Sequence, residues 1–137
     1  MNHATIFLSA IARLNALPAA AQTWPVKSIR IVVGFAPGGA VDIIARISVQ
    51  RLAEAFGRPV VVENRPGAST NIAAEPVAKA APDGYTLLMG SSSPATNMTL
   101  FRTLPYDTLC DFSAVTQVGY GPQVLATHPA LPVKSVQ

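Results

Sequence analysis

The apolar positions of this chain alternate between unbroken runs and helical stripes. Ile29 to Phe35 (IRIVVGF) is β-rich and almost continuously apolar, the pattern of a strand covered on both faces of a parallel sheet. Pro37-Gly38-Gly39 breaks it. Val41 to Phe56 then has helical period. Ala45, Val49, Leu52 and Phe56 form an apolar stripe, and Asp42, Arg46, Gln50 and Glu54 fall four apart on another face. Asp42 lies in the first turn, where the positive end of the helix dipole favours a carboxylate. It is also one turn from Arg46, a pairing distance. Gly57 and Pro59 are stop signals.

The same alternation continues. Val60 to Glu63 reads as a second strand, and Asn64 to Thr70 as a loop of turn residues. Asn71 to Ala81 reads as a second helix with Thr70 or Asn71 as N-cap. Pro76 is tolerable there only in the first turn; deeper, it removes a backbone bond. Pro82-Asp83-Gly84 is a turn. Tyr85 to Met89 is a third strand, ended by Gly90-Ser91-Ser92-Ser93-Pro94. Thr96 to Phe101 reads as a short helix. Phe112 to Val118 and Val124 to Ala126 are further strand candidates.

The resulting β-α-β-α-β order implies right-handed crossovers and a parallel sheet. The loops after Phe35, Glu63 and Met89 should then gather along one carboxyl edge, where open α/β sheets bind ligands. Ahead of this unit, Ile6 to Ala12 is a short apolar run followed by Leu17-Pro18-Ala19-Ala20-Ala21. That is the outline of a secretory signal peptide over residues 1–21, although its n-region lacks Lys and Arg and Arg13 interrupts it. The run is too short to span a bilayer, which takes about 20 residues.

Composition narrows the function. Half of the 137 residues are hydrophobic and 12% are charged, so the chain is globular. The net charge of +3 mildly favours an anionic ligand. No Lys/Arg run exists and aromatics are few, which argues against nucleic acid. One cysteine, Cys110, and two histidines, His3 and His128, offer no metal cluster. No Ser-His-Asp set or carboxylate pair presents itself, and Cys110 has no nearby base, so no catalytic residue and no cofactor is assigned.

The loops carry the remaining chemistry. Gly38 and Gly39 let the backbone turn tightly and approach a ligand closely. Their N–H groups, with those of Ala40 and Val41, lie at a helix N-terminus and suit a carboxylate or phosphate. Pro-Gly-Gly is equally a plain tight turn, and spacing alone leaves both readings open. Gly34 to Gly39 is neither a dinucleotide fingerprint nor a Walker A loop. Ser69, Thr70 and Asn71, then Ser91, Ser92 and Ser93, add neutral hydrogen-bonding groups that also serve as ordinary turn and cap residues. Glu63 and Arg65 are within pairing reach of each other, and a plain surface role suits both.

At these loops the chain resembles the substrate-binding proteins of tripartite tricarboxylate transporters, including the Bordetella uptake-gene (Bug) proteins. The resemblance runs from Trp24 to Gln137. It rests on Ile29 to Asp42 (IRIVVGFAPGGAVD), Pro59 to Ala68 (PVVVENRPGA), Asn71 to Glu75, Val77 to Leu88, Leu104-Pro105-Tyr106-Asp107 and Asp111-Phe112. It implies one α/β lobe, over 22–118, of a periplasmic-binding-protein clamshell of the type 2, Venus-flytrap kind. Residues 119–137 would begin the crossover into a second lobe that is largely missing. It also implies a periplasmic protein that captures a small carboxylate for a membrane permease and is neither an enzyme nor itself membrane-spanning. By position, the implied ligand contacts are Phe35, Ala36, Pro37, Gly38, Gly39, Ala40, Asp42, Asn71, Ser91 and Ser92. The chain departs from the family where Ser69 and Thr70 replace two glycines before Asn71, at Pro76, at Cys110, and in length. The alternatives are a truncated relative that binds nothing and, less well supported, a nucleotide-binding α/β enzyme domain.

Overall fold

The computed structural model describes residues 24–122, 124, 126 and 128–131. The segment read as a signal peptide, and the end of the expected crossover, lie outside the described residues. Strand β1 (Ile29–Val33), helix α1 (Ala40–Phe56), strand β2 (Val60–Asn64), helix α2 (Asn71–Ala78), strand β3 (Thr86–Met89) and helix α3 (Ser93–Leu100) follow in that order. The sheet is parallel, with strand order β2-β1-β3. The expected β-α-β-α-β order is therefore the one observed.

β1 is central because its sequence suits two covered faces. Ile29, Ile31 and Val33 point to one side and pack with Ala45, Val49 and Leu52 of α1 and with Val60, Val62, Leu87 and Met89 of the flanking strands. Val32 and Gly34 alternate to the other side, toward α2, where Ala73 and Ala74 are fully buried. Full burial of a Val or Ile side chain stabilises by about 1.5–3 kcal/mol. The exception, Arg30, pairs across the sheet with Glu63 at 3.2 Å; Glu63 also accepts from Arg65 at 2.6 Å.

The α1 stripe meets the sheet through Ala45, Val49 and Leu52, while Phe56 ends it at the opposite pole. There the Phe56 ring meets Trp24 edge-on, with centroids 5.2 Å apart. Gly57, in left-handed conformation, closes α1 by donating to the Ala53 carbonyl. The Pro82-Asp83-Gly84 turn forms as read, with Asp83 Oδ1 accepting from the Tyr85 amide at 3.1 Å.

Several expectations are corrected. α2 ends at Ala78 rather than Ala81 and holds Pro76 beyond its first turn. Neither Thr70 nor Asn71 caps it with a side chain, since the Asn71 amide is engaged elsewhere. α3 begins at Ser93, with Pro94 near its start, where proline is well suited. Phe112 to Val118 is not a strand, and neither Val124 nor Ala126 lies in one. β propensity alone gives no neighbour to pair with, and Val115, Val118 and Val124 are exposed.

Candidate functional site

The first loop is held from beneath. Its turn places Gly38 at φ 84°, a conformation that favours glycine. The Gly38 amide donates to Asp42 Oδ2 at 2.9 Å, and Gly39 N–H donates to the Ala36 carbonyl at 3.3 Å. Asp42 is almost fully buried at 2% exposure. Besides Gly38, its carboxylate accepts from Arg46 Nε at 2.9 Å and Asn64 Nδ2 at 2.8 Å. Asn64 Nδ2 donates again to the Phe35 carbonyl at 3.1 Å, and Asn64 Oδ1 accepts from Arg46 at 3.1 Å. Arg46, then the Gly38 amide and Asn64, hold the Asp42 carboxyl well below the usual range. Asp42 therefore sits under the loop as its latch, with its oxygens already occupied, rather than at the loop's mouth.

Above that latch the backbone is open. Ala36, Pro37, Gly38, Gly39 and Ala40 are exposed. Gly39, at the N-cap position, contributes no side chain, and the amides of Ala40, Val41 and Asp42 have no acceptor among the described residues. Those of Ala40 and Val41, at the positive end of a 17-residue helix and in exposed or half-buried residues, are of the kind that suits an anion. The Phe35 ring is half-buried and packs against the α1 side of the core, so only its backbone belongs to the loop.

The second loop reaches the first at two points. Asn64 binds the Phe35 carbonyl, and the Thr70 side chain lies over Gly34. A Cβ placed on Gly34 would come within 2.6 Å of Thr70 Cβ, so the approach requires glycine. Ala68, Ser69 and Thr70 all have positive φ, at 45°, 52° and 75°. Such angles are disfavoured for residues with a Cβ, and most for a β-branched one. Ser69 and Thr70 thus keep a glycine-like backbone and carry its strain.

Behind this turn lies a polar hub. Asn71 Oδ1 accepts from Asn97 Nδ2 at 2.8 Å and from the Tyr106 hydroxyl at 2.6 Å. Asn97 Nδ2 also donates to the Ser69 carbonyl at 2.6 Å. Tyr106 is fixed by the Phe112 ring, edge-on at 5.6 Å. Sequence reasoning missed Asn64, Asn97 and Tyr106. The spacing held no clear signal for Asn97, since Leu100, one turn on, is exposed.

In the third loop Ser91 and Ser92 are exposed. The Ser91 hydroxyl is bonded to Ser93 Oγ at 2.9 Å and accepts from the Ser93 amide, so it serves the start of α3. The Ser92 hydroxyl makes no hydrogen bond among the described residues. An open depression of about 480 Å³ lies elsewhere, between the end of α3 and Leu104 to Thr108, and shares only Tyr106 with the hub. Among the described residues no group of His, Cys, Asp and Glu is arranged to hold a metal, and no helix is long and apolar enough to cross a membrane.

A parallel sheet with three loops on its carboxyl edge is common to many binding and catalytic proteins, and similarity to known proteins decides among them. The family model for the tripartite tricarboxylate transporter family receptor matches residues 44–137. The chain belongs to this receptor family. The match begins within α1, so the first loop lies ahead of it. BugT of Bordetella pertussis is 43% identical over 123 residues, which cover 88% of this chain and 38% of BugT. Two solved Rhodopseudomonas palustris proteins share the fold. One, solved with adipate, is 42% identical with a TM-score of 0.60 and covers 63% of this chain and 29% of that one. The other, MatC with bound malate, is 39% identical with a TM-score of 0.59 and covers 65% and 31%. The chain thus spans less than half the length of these proteins. The fold is that of a periplasmic-binding-protein lobe, and the enzyme-domain alternative has no support from the family.

Proposed function

We propose that this chain forms the first lobe of a periplasmic solute-binding receptor that captures a small carboxylate and delivers it to a membrane permease. The observation that most supports the reading is that the exposed Ala40 and half-buried Val41 have amides with no acceptor among the described residues, at a helix start on the sheet edge that also carries Asn71 and Ser92. A carboxylate needs several donors and no competing negative charge. The carboxylate beneath the loop, Asp42, is already satisfied by three donors. The chemistry proposed is capture and release, as in the receptor family the chain belongs to. Adipate and malate, present in the two R. palustris proteins, are the substrate class this edge suits.

The described residues supply one wall of a cleft, so the expected affinity of this chain alone is weak, in the millimolar range, where binding is worth about 4 kcal/mol. The test is an NMR titration of the ¹⁵N-labelled chain with adipate and with malate. The expected result is progressive shifts at the Ala40 and Val41 amides. Gly39→Val should abolish them, because Gly39 has φ −74° and an added Cβ meets only ordinary contact with the Ala36 carbonyl at 3.4 Å. The loop would keep its shape and lose only its open approach. Unchanged titration in Gly39→Val places the site elsewhere, and silence toward every di- and tricarboxylate tested sinks the reading.

A further inference from the structure

The hub behind the second loop is more polar than packing requires. Asn97 is completely buried, and Tyr106 and Asn71 are exposed by only 7% and 8%. Desolvating three polar side chains is costly unless every partner is placed, and apolar residues would fill the same space at lower cost. The three residues come from distant parts of the chain, with Asn71 separated from Asn97 by 26 positions and from Tyr106 by 35.

Their bonding has a direction. Asn97 Nδ2 donates to the Ser69 carbonyl, which can only accept, so the orientation of the Asn97 amide is settled. Its nitrogen also faces Asn71, so the Asn71 atom it meets is Oδ1. The Tyr106 hydroxyl donates to the same oxygen. With two donors on Oδ1, the Asn71 amide has one orientation, oxygen inward and nitrogen outward. Asn71 Nδ2 makes no hydrogen bond among the described residues, and it is not among their buried unpartnered atoms. Its N–H donors are therefore left free by the hub and not sealed from solvent. Two hydrogen bonds on the oxygen also polarise the amide and strengthen its nitrogen as a donor.

We propose that Asn97 and Tyr106 are positioning residues that aim the Asn71 amide nitrogen at the carboxylate seated on the first loop. This rests on the carboxylate reading given above. Neither residue touches the ligand; each acts through Asn71. The Asn97 bond to Ser69 serves the same end, because it holds the left-handed residues that set where α2, and hence Asn71, begins.

The test uses the ¹⁵N-labelled chain and Tyr106→Phe, which removes one hydroxyl and keeps the ring against Phe112. In ligand-free protein the two Asn71 Nδ2 protons should give separated, slowly exchanging resonances. Tyr106→Phe should draw them together and speed their exchange. In titrations with adipate, Tyr106→Phe should weaken binding about fivefold, the loss of one hydrogen bond's orientation. In an Asn71→Ala background Tyr106→Phe should change affinity no further, which a merely structural role would not predict. Asn71 resonances unaffected by Tyr106→Phe overturn the proposal whether or not adipate binds. So does an affinity loss that persists without Asn71. If adipate leaves the wild-type Ala40 and Val41 amides unmoved, the carboxylate reading fails by itself, and the ligand-free Asn71 resonances still judge the positioning.

Discussion

Thr70 shows how one residue couples two loops. It adopts φ 75°, its side chain lies over Gly34, and its buried hydroxyl has no hydrogen-bond partner among the described residues. Gly34→Ala should destabilise the chain by about 1–3 kcal/mol, because the new Cβ overlaps the Thr70 side chain. Thr70→Gly should remove most of that penalty, so the two substitutions are strongly non-additive. By itself Thr70→Gly exchanges lost methyl burial against relief of left-handed strain of about 1–2 kcal/mol. Ser69→Gly has only the relief, because Ser69 is exposed. It should raise the melting temperature, and thermal unfolding of the four variants and wild type measures every term. The family resemblance marked Ser69 and Thr70 as departures, but it could not give their conformation. Whether Ser69 and Thr70 would bend the loop or accept its strain depends on the Asn97 bond to the Ser69 carbonyl, which spans 28 positions.

At the scale of elements, the parts legible in sequence are those whose signals are local. β1, α1 and β2 stand close to their expected places because an unbroken apolar run, a helical stripe and the Gly57 stop each act over a few residues. The strand candidate Phe112 to Val118 failed for the complementary reason: a strand exists only through its neighbour. Phe112 contributes instead by bracing Tyr106. Pro76 lies between these cases. It was expected to fit only in the first turn, yet α2 carries it further in, at the cost of the amide that would bond to the Ile72 carbonyl. The helix runs only two residues beyond it, to Ala78. Pro76→Ala should restore that bond and stabilise the chain by about 1 kcal/mol, less than the roughly 3 kcal/mol of a mid-helix proline because α2 is short. A domain of this size would gain about 4–8 °C in melting temperature. An unchanged or lower value would mean that proline's restriction of the unfolded chain outweighs the missing bond.

Across the molecule, carboxylates fasten the segments that the sheet does not. Asp42 holds the first loop, Glu63 joins β1 to the second loop through Arg30 and Arg65, Asp83 ties Lys27 to the turn before β3, and Asp107 accepts the amides of Leu109 and Cys110. All four carboxyls are held below their ordinary values: Asp42 chiefly by Arg46, Glu63 by Arg65, Asp83 by the Tyr85 amide, and Asp107 by the Leu109 and Cys110 amides. A carboxyl with a lowered folded pKa binds fewer protons folded than unfolded. Stability is then fully present above the unfolded value, about 4, and is lost as pH falls through the folded one. The melting temperature should be flat above about pH 5 and fall steadily below it. The exposed pairs contribute little to that fall, because water screens them. Asp42 should dominate, since its partners surround a buried group. Asp42→Asn keeps the shape and loses the charge, and sets an amide nitrogen against the donors of Gly38, Arg46 and Asn64. It should therefore melt well below wild type at neutral pH, and the gap should narrow as the pH falls below about 4, where the unfolded wild-type chain takes up a proton that folded Asp42 does not. Parallel curves for the two proteins would assign the acid sensitivity to the other carboxylates. Converging curves would assign the acid sensitivity to Asp42 and its hold on the first loop.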